Sequence, residues 1–164
     1  MRSFFNSPMQ EEKIIFLQEE MFSIIDQLHE QAIPVWGIMN SHEMIEHLTD
    51  FFNVSVEKII FPLMIPAEQL PKYREFLYSD KAFRENTKAP AAVLGDIPLP
   101  LRAASFAEAK NALKETVAHF IDYFTVQPGK ASMHPVFGML NFDEWVMLHY
   151  KHVQHHLRQF GALA

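Results

Sequence analysis

The segment Asn141-Phe142-Asp143-Glu144-Trp145-Val146-Met147-Leu148-His149-Tyr150-Lys151-His152-Val153-Gln154-His155-His156-Leu157-Arg158-Gln159-Phe160-Gly161 decides how this chain folds. Asn141 with Glu144 three residues later is a reciprocal capping box, and Gly161 is a stop signal, so one helix of roughly 30 Å runs between them. Trp145, His149, His152, Val153, His156 and Phe160 fall on one stripe of that helix. The histidines therefore lie beside the core rather than in open solvent. His152 and His156 are one turn apart, with backbone positions about 6 Å from each other, so their rings can converge on a single ion.

Three further amphipathic segments precede this one. The first starts near Pro8, a residue favoured at the first helical position, and reaches about Gln31 before Pro34. Its apolar face is Ile14, Leu17, Met21, Ile24, Ile25 and Leu28. The second is announced by Asn40 with Glu43, carries Met44, Leu48, Phe51 and Phe52, and extends to Phe61. The third begins at Ser105, with Glu108 completing another capping box, and buries Phe106, Ala109, Leu113, Val117, Phe120 and Phe124. Prolines break the stretch from Pro62 to Ala104 into a short helix near Ala67 to Tyr78 and a long crossover. Pro128 and Gly129 open a second loop through Leu140. With no alternating strand and no internal repeat, the expectation is an all-α fold, a four-helix bundle with a long crossover between helices 2 and 3.

The chain has 164 residues, 49% of them hydrophobic, which is the scale of one domain spanning 1–164. Its longest apolar stretch, Ile59 to Ala67, is far shorter than a spanning helix and contains Pro62 and Pro66. The opening residues do not read as an export signal, so a cytoplasmic protein away from membranes is expected. A net charge of −6 without a basic run argues against nucleic acid as the main partner. Cysteine is absent, which removes disulfides, thiolate ligands and a cysteine nucleophile; any thiol chemistry needs an outside thiol.

His47 repeats on the second helix the anomaly of the last one, since it lies between Met44 and Phe51 on the inward face. Each buried polar group without a partner costs about 1–3 kcal/mol, so three such imidazoles need a common explanation. A shared metal ion is one. The other is that His47 hydrogen-bonds a core carbonyl while the C-terminal histidines line a wet groove.

The stretches His134-Pro135-Val136-Phe137-Gly138, Glu144-Trp145 and Lys151 to Gly161 resemble the C-terminal signature of a branch of the DinB-like (DinB/YfiT) superfamily. Trp36-Gly37-Ile38-Met39-Asn40, leading to Met44 and His47-Leu48, resembles the same branch. The resemblance implies a four-helix bundle whose divalent metal, commonly zinc or nickel, is held by one histidine of the second helix and an H-x-x-x-H pair of the last. On this chain those are His47, His152 and His156. It also implies chemistry on a low-molecular-weight thiol, because related proteins include thiol-dependent transferases and a thiol-using isomerase.

Three neutral imidazoles leave a bound ion an open position, the arrangement of a catalytic rather than a structural site. The expected function is thus a metal-dependent transferase or hydrolase that activates a thiol or water for a small-molecule substrate. The competing expectation is a non-catalytic metal-binding or stress-response module. Candidates for a proton acceptor are His149 and Glu43, each one turn from a ligand position, although Glu43 also has its capping role. His155 is read as second shell, alternative ligand or surface. Arg158 and Gln159 are read as anion contacts or helix-end residues, and His134 as a site-mouth or turn residue. Trp36 and Trp145 are pocket wall or core, and His29, His42 and His119 are surface or packing residues. The abundance of phenylalanine suggests a homodimer.

Overall fold

The computed structural model describes residues 7–87 and 98–164. Ser7 caps α1 (Pro8–Ile15), which continues through a π-helical stretch (Phe16–Glu20) into α2 (Met21–Ile25) as one rod. After a loop, α3 (Ser41–Ser55) crosses the molecule. A turn of 3₁₀ helix (Ala67–Gln69) leads into α4 (Leu70–Tyr78), and α5 (Phe106–Thr125) follows the crossover. Strands β1 (Ala131–His134) and β2 (Gly138–Asn141) form an antiparallel pair, with Ser132 opposite Leu140 and His134 opposite Gly138, and α6 (Phe142–Gln159) starts directly from β2. No helix among the described residues is long and apolar enough to cross a membrane.

This overturns the expectation of an all-α four-helix bundle: among the described residues, five helical rods and a two-stranded sheet make a mixed fold. The hairpin takes the place of the loop expected through Leu140. Its strands are four residues each, too short for alternation to stand out, and two of the inward-facing residues are the polar Ser132 and His134. Gly138 turns the hairpin at φ +79°, where a side chain would be strained and would press on Leu70.

Two helices are shorter than the pattern predicts. The first rod ends at Ile25, because residues beyond it tighten into i→i−3 turns and the Ser41 hydroxyl takes the carbonyls of His29 and Glu30. The second ends at Ser55 rather than Phe61. There Glu57 adopts φ +60°, and the amides of Lys58 and Ile59 fold back onto the Asn53 carbonyl. The π-helical widening admits one extra inward residue, so Phe16 and Leu17 are both buried, Phe16 packing edge-on against Tyr150 of α6. Part of the expected crossover, residues 88–97, lies outside the described residues.

Two of the three predicted capping boxes close. Asn40 with Glu43 and Asn141 with Glu144 close complete capping boxes. Ser105 caps α5, while the Glu108 carboxylate reaches back to the Ala104 amide. The core lies between α3, α5 and α6, around Phe52, Phe120 and Trp145.

Polar ties fix α3 and α6 in place. Arg102 grips Asp50 with both guanidinium arms at 2.8 and 3.0 Å, and Glu46 accepts from the amides of Arg102 and Ala103. Burial alone would raise the Glu46 pKa, but the Ala103 and Arg102 amides and the guanidinium outweigh it and hold it below 4.5. On the other side Arg74 and Tyr78 of α4 bind Glu144, and Lys151 donates to the carbonyls of Ser79 and Lys81 at 2.6 Å, closing the C-terminal end of α4.

Arg102→Ala strands the buried Asp50 and leaves Glu46 with backbone amides alone. Breaking such a pair costs about 3–5 kcal/mol when fully buried, and half of the Arg102 side chain is exposed, so a loss of about 2 kcal/mol at neutral pH is expected. Glu46 contributes its stability above its unfolded pKa and loses it as pH falls through the lower folded one. The deficit of the variant should therefore narrow below about pH 4.5, measured by urea melts, and a deficit independent of pH would contradict the assignment.

Candidate metal centre

α3 lays His47 against α6 where His152 and His156 stand one turn apart. The Nε2 atom of His152 is 3.1 Å from that of His47 and 3.0 Å from that of His156. Ring centroids are 4.6–5.0 Å apart and every pair of rings meets edge-on, so the nitrogens converge instead of the faces stacking. One ligand nitrogen from each residue lies within 4.8 Å of the other two, the one such cluster of histidine or acidic side chains among the described residues. Nitrogens about 2.0–2.1 Å from a tetrahedral zinc are roughly 3.3 Å from each other, close to the contacts seen here.

Proton bookkeeping shows why these contacts are not an ordinary hydrogen-bond network. The Gln159 carboxamide nitrogen donates to the Trp36 carbonyl at 3.0 Å, which leaves its oxygen facing His156 Nδ1 at 2.7 Å. Nδ1 of His156 must then carry the proton, and Nε2 of the neutral ring presents a lone pair. A proton on His152 Nε2 satisfies that lone pair but faces His47 with a second donor or no acceptor. A lone pair on His152 Nε2 satisfies His47 and opposes His156. No arrangement of three neutral tautomers pairs both contacts.

Protonating a ring is also costly. Burial pushes His47 down to about 4, with His155 adding repulsion. Burial likewise puts His152 and His156 well below the usual range, and the other rings of the cluster push them further. The histidines are therefore neutral, the form that binds metal. A divalent cation facing all three lone pairs resolves the conflict, and the all-imidazole donor set suits zinc, nickel, copper or iron.

Aromatic side chains surround the cluster. Phe51 lies 4.2 Å from His152 and 4.9 Å from His47, ring to ring, and Phe83 is 6.5 Å from His152. His155 is buried between Trp36 and Phe83, next to His156, so it forms wall rather than surface.

The two candidate proton acceptors are engaged elsewhere. His149 is 1% exposed, stacked on Phe52 at 3.8 Å, with its Nε2 on the Ser55 hydroxyl. That hydroxyl donates to the Phe52 carbonyl and so accepts from His149. Ser132 in turn donates to the Ser55 carbonyl and accepts from Trp145 Nε1, which completes a satisfied network joining α3, β1 and α6. Glu43 accepts from the Asn40 amide in the capping box.

His134 closes the hairpin turn, its Nδ1 accepting from the amides of Val136 and Phe137, and burial holds its pKa at about 3. His42 packs beside Phe106, His119 beside Tyr123, and His29 is exposed. Gln159 is buried on His156 rather than at an exposed helix end. Its place three residues after His156 was the available signal, since that spacing puts both on one helix face.

The family model described as "Protein of unknown function (DUF1569)" matches residues 15–162, a span that includes all three histidines. No curated protein and no solved structure matches the chain.

The low pKa of His134 gives a direct check. A buried neutral histidine contributes full stability above about pH 6.5 and loses it as pH falls toward its folded value. The His134 ring resonances should stay unprotonated from about pH 8 down to about pH 5 in an NMR titration. Titration near 6.5 would mean that the hairpin turn is open.

Proposed function

The chain belongs to the DUF1569 family, and we propose that it is a DinB-like metal protein in which His47, His152 and His156 hold one zinc or nickel ion. In this reading the centre serves a hydrolase or transferase that activates water or a low-molecular-weight thiol. The observation that carries it is the meeting of three Nε2 atoms that no set of neutral tautomers can satisfy. When bound, the ion would supply Lewis acidity at an open position, lowering the pKa of water or a thiol there.

The chain's own residues define the surroundings of the reaction. His47, His152 and His156 stay neutral through burial and point their lone pairs inward. Phe51, Phe83 and Trp36 limit water and give a substrate apolar surfaces to lie against. Cysteine is absent, so the thiol of a transfer reaction comes from a second substrate.

A second reading, metal binding without turnover, draws support from the prior engagement of His149 with Ser55 and of Glu43 with Asn40. Neither is free to accept a proton at the cluster without giving up a partner.

Elemental analysis of untagged protein should find close to one zinc or nickel per chain, and none in a His152→Ala, His156→Ala double variant. Chelation should abolish thiol conjugation to broad electrophiles or hydrolysis of activated esters, and readdition of the ion should restore it. Activity indifferent to chelation would sink the enzymatic reading. Stoichiometric metal that raises the melting temperature while no substrate is consumed would favour the second.

A further inference from the structure

We infer that Gln159 is the positioning residue of the three-histidine centre, and that the Val35-Trp36-Gly37 segment is the support that holds Gln159 in place. The inference rests on the metal centre proposed above and adds the device that prepares it.

Both ends of the Gln159 carboxamide are used. Its oxygen accepts from His156 Nδ1 at 2.7 Å, and its nitrogen donates to the Trp36 carbonyl at 3.0 Å. A flipped amide would set oxygen against the Trp36 carbonyl and N–H against N–H, so one orientation survives. The Trp36 carbonyl, which cannot change its role, thereby dictates the proton position on His156. Nε2 is left as a lone pair aimed at His152 before any ion arrives. Among the described residues, neither His47 nor His152 has a protein hydrogen-bond partner on its outer nitrogen.

The loop is shaped around this amide. Gly37 sits at φ +80°, and a Cβ there would come within 2.7 Å of the Gln159 side-chain nitrogen. The backbone conformation strains any side chain there, and a Cβ would displace the Gln159 amide. The Val35 amide donates to the Gln159 main-chain carbonyl at 2.7 Å, so the same residue is held at its backbone and its side chain by neighbouring positions of one loop. The loop begins far from α6 in sequence and yet meets it at the residue that orients a ligand.

A carboxamide in this role differs from the carboxylate that often backs a ligating histidine. It fixes the tautomer without adding negative charge, so the centre retains the full charge of a divalent ion. Gln159→Glu keeps an acceptor for His156 Nδ1 but sets its other oxygen against the Trp36 carbonyl, so it should retain the His156 tautomer while losing the tie to the loop. Gln159→Ala should lose the orientation.

The test is zinc affinity by competition with a chromophoric chelator, together with two-bond ¹⁵N spectra of the histidines in the metal-free protein. Gln159→Ala should bind zinc about 10- to 100-fold more weakly, and its His156 should lose the Nδ1–H signature present in the parent. Gly37→Ala should weaken zinc binding in the parent background but add little to Gln159→Ala, since its clash is with the missing side chain. Parent affinity in Gln159→Ala, or an unchanged His156 signature, would overturn the inference while leaving the metal centre intact. A parent that binds no zinc would instead bring down the metal centre and this inference with it. Should Gln159→Ala fail to fold, Gly37→Ala decides: parent zinc affinity with an unchanged His156 Nδ1–H signature would overturn the inference.

Discussion

Three histidine ring nitrogens brought face to face organise this molecule. An isolated imidazole can hide in a core if it finds one donor and one acceptor, but three Nε2 atoms in contact exhaust the available protons. Burial then closes the other escape by making a charged ring expensive. Each unsatisfied group costs about 1–3 kcal/mol. The fold must supply that energy from elsewhere, and must hold α3 and α6 firmly enough that the rings cannot turn away.

His149 shows the contrast within a single helix. It is as deeply buried as any histidine of the cluster, yet the Ser55 hydroxyl accepts its proton and Phe52 and Trp145 cover its faces. The network from Trp145 through Ser132 to Ser55 ties the end of α3 to β1 and α6. Arg102 secures the middle of α3 through Asp50 and Glu46, and Glu144 secures the start of α6 through Arg74. Satisfied polar networks thus fasten both helices on either side of the unsatisfied one. A small hairpin contributes as much to this alignment as the long rods, because Ser132 is where the two helices are joined.

Local signals were the legible ones. Capping boxes at Asn40 and Asn141, the Ser105 cap and the Gly161 stop depend on a few adjacent residues, and the sequence placed them where the structure does. Helical periodicity put His47 and the H-x-x-x-H pair on inward faces, and the family resemblance joined them into one set. What escaped depends on tertiary context. The hairpin has strands of four residues with Ser132 and His134 facing inward, so neither its length nor its hydrophobicity announces it. Helix α3 ends at Ser55 because Glu57, a residue with no intrinsic preference for a left-handed conformation, turns the chain away. His149 and His155 share the composition of the site but find their partners in Ser55 and in an aromatic wall, which no spacing rule reveals. Gln159 acquires its meaning from a carbonyl at Trp36, more than a hundred residues away in sequence.

The π-helical stretch between α1 and α2 has a consequence for how this chain tolerates changes in length. It stores one residue more than an α-helix of the same rise, and that residue lets Phe16 and Leu17 both turn inward. Deleting a residue from Phe16–Glu20 would restore regular α-helix, a gain in local hydrogen bonding. Because the widened turn absorbs that residue, the segments on either side would keep their phase, with Ile14 in the core and Gln10 on Asp143 at the start of α6. A deletion in the regular part of the rod would instead rotate everything before it by about 100°, the turn of one helical residue. The first rod is thus a shaft with one slack turn: a change of length is absorbed there and becomes a rotation elsewhere.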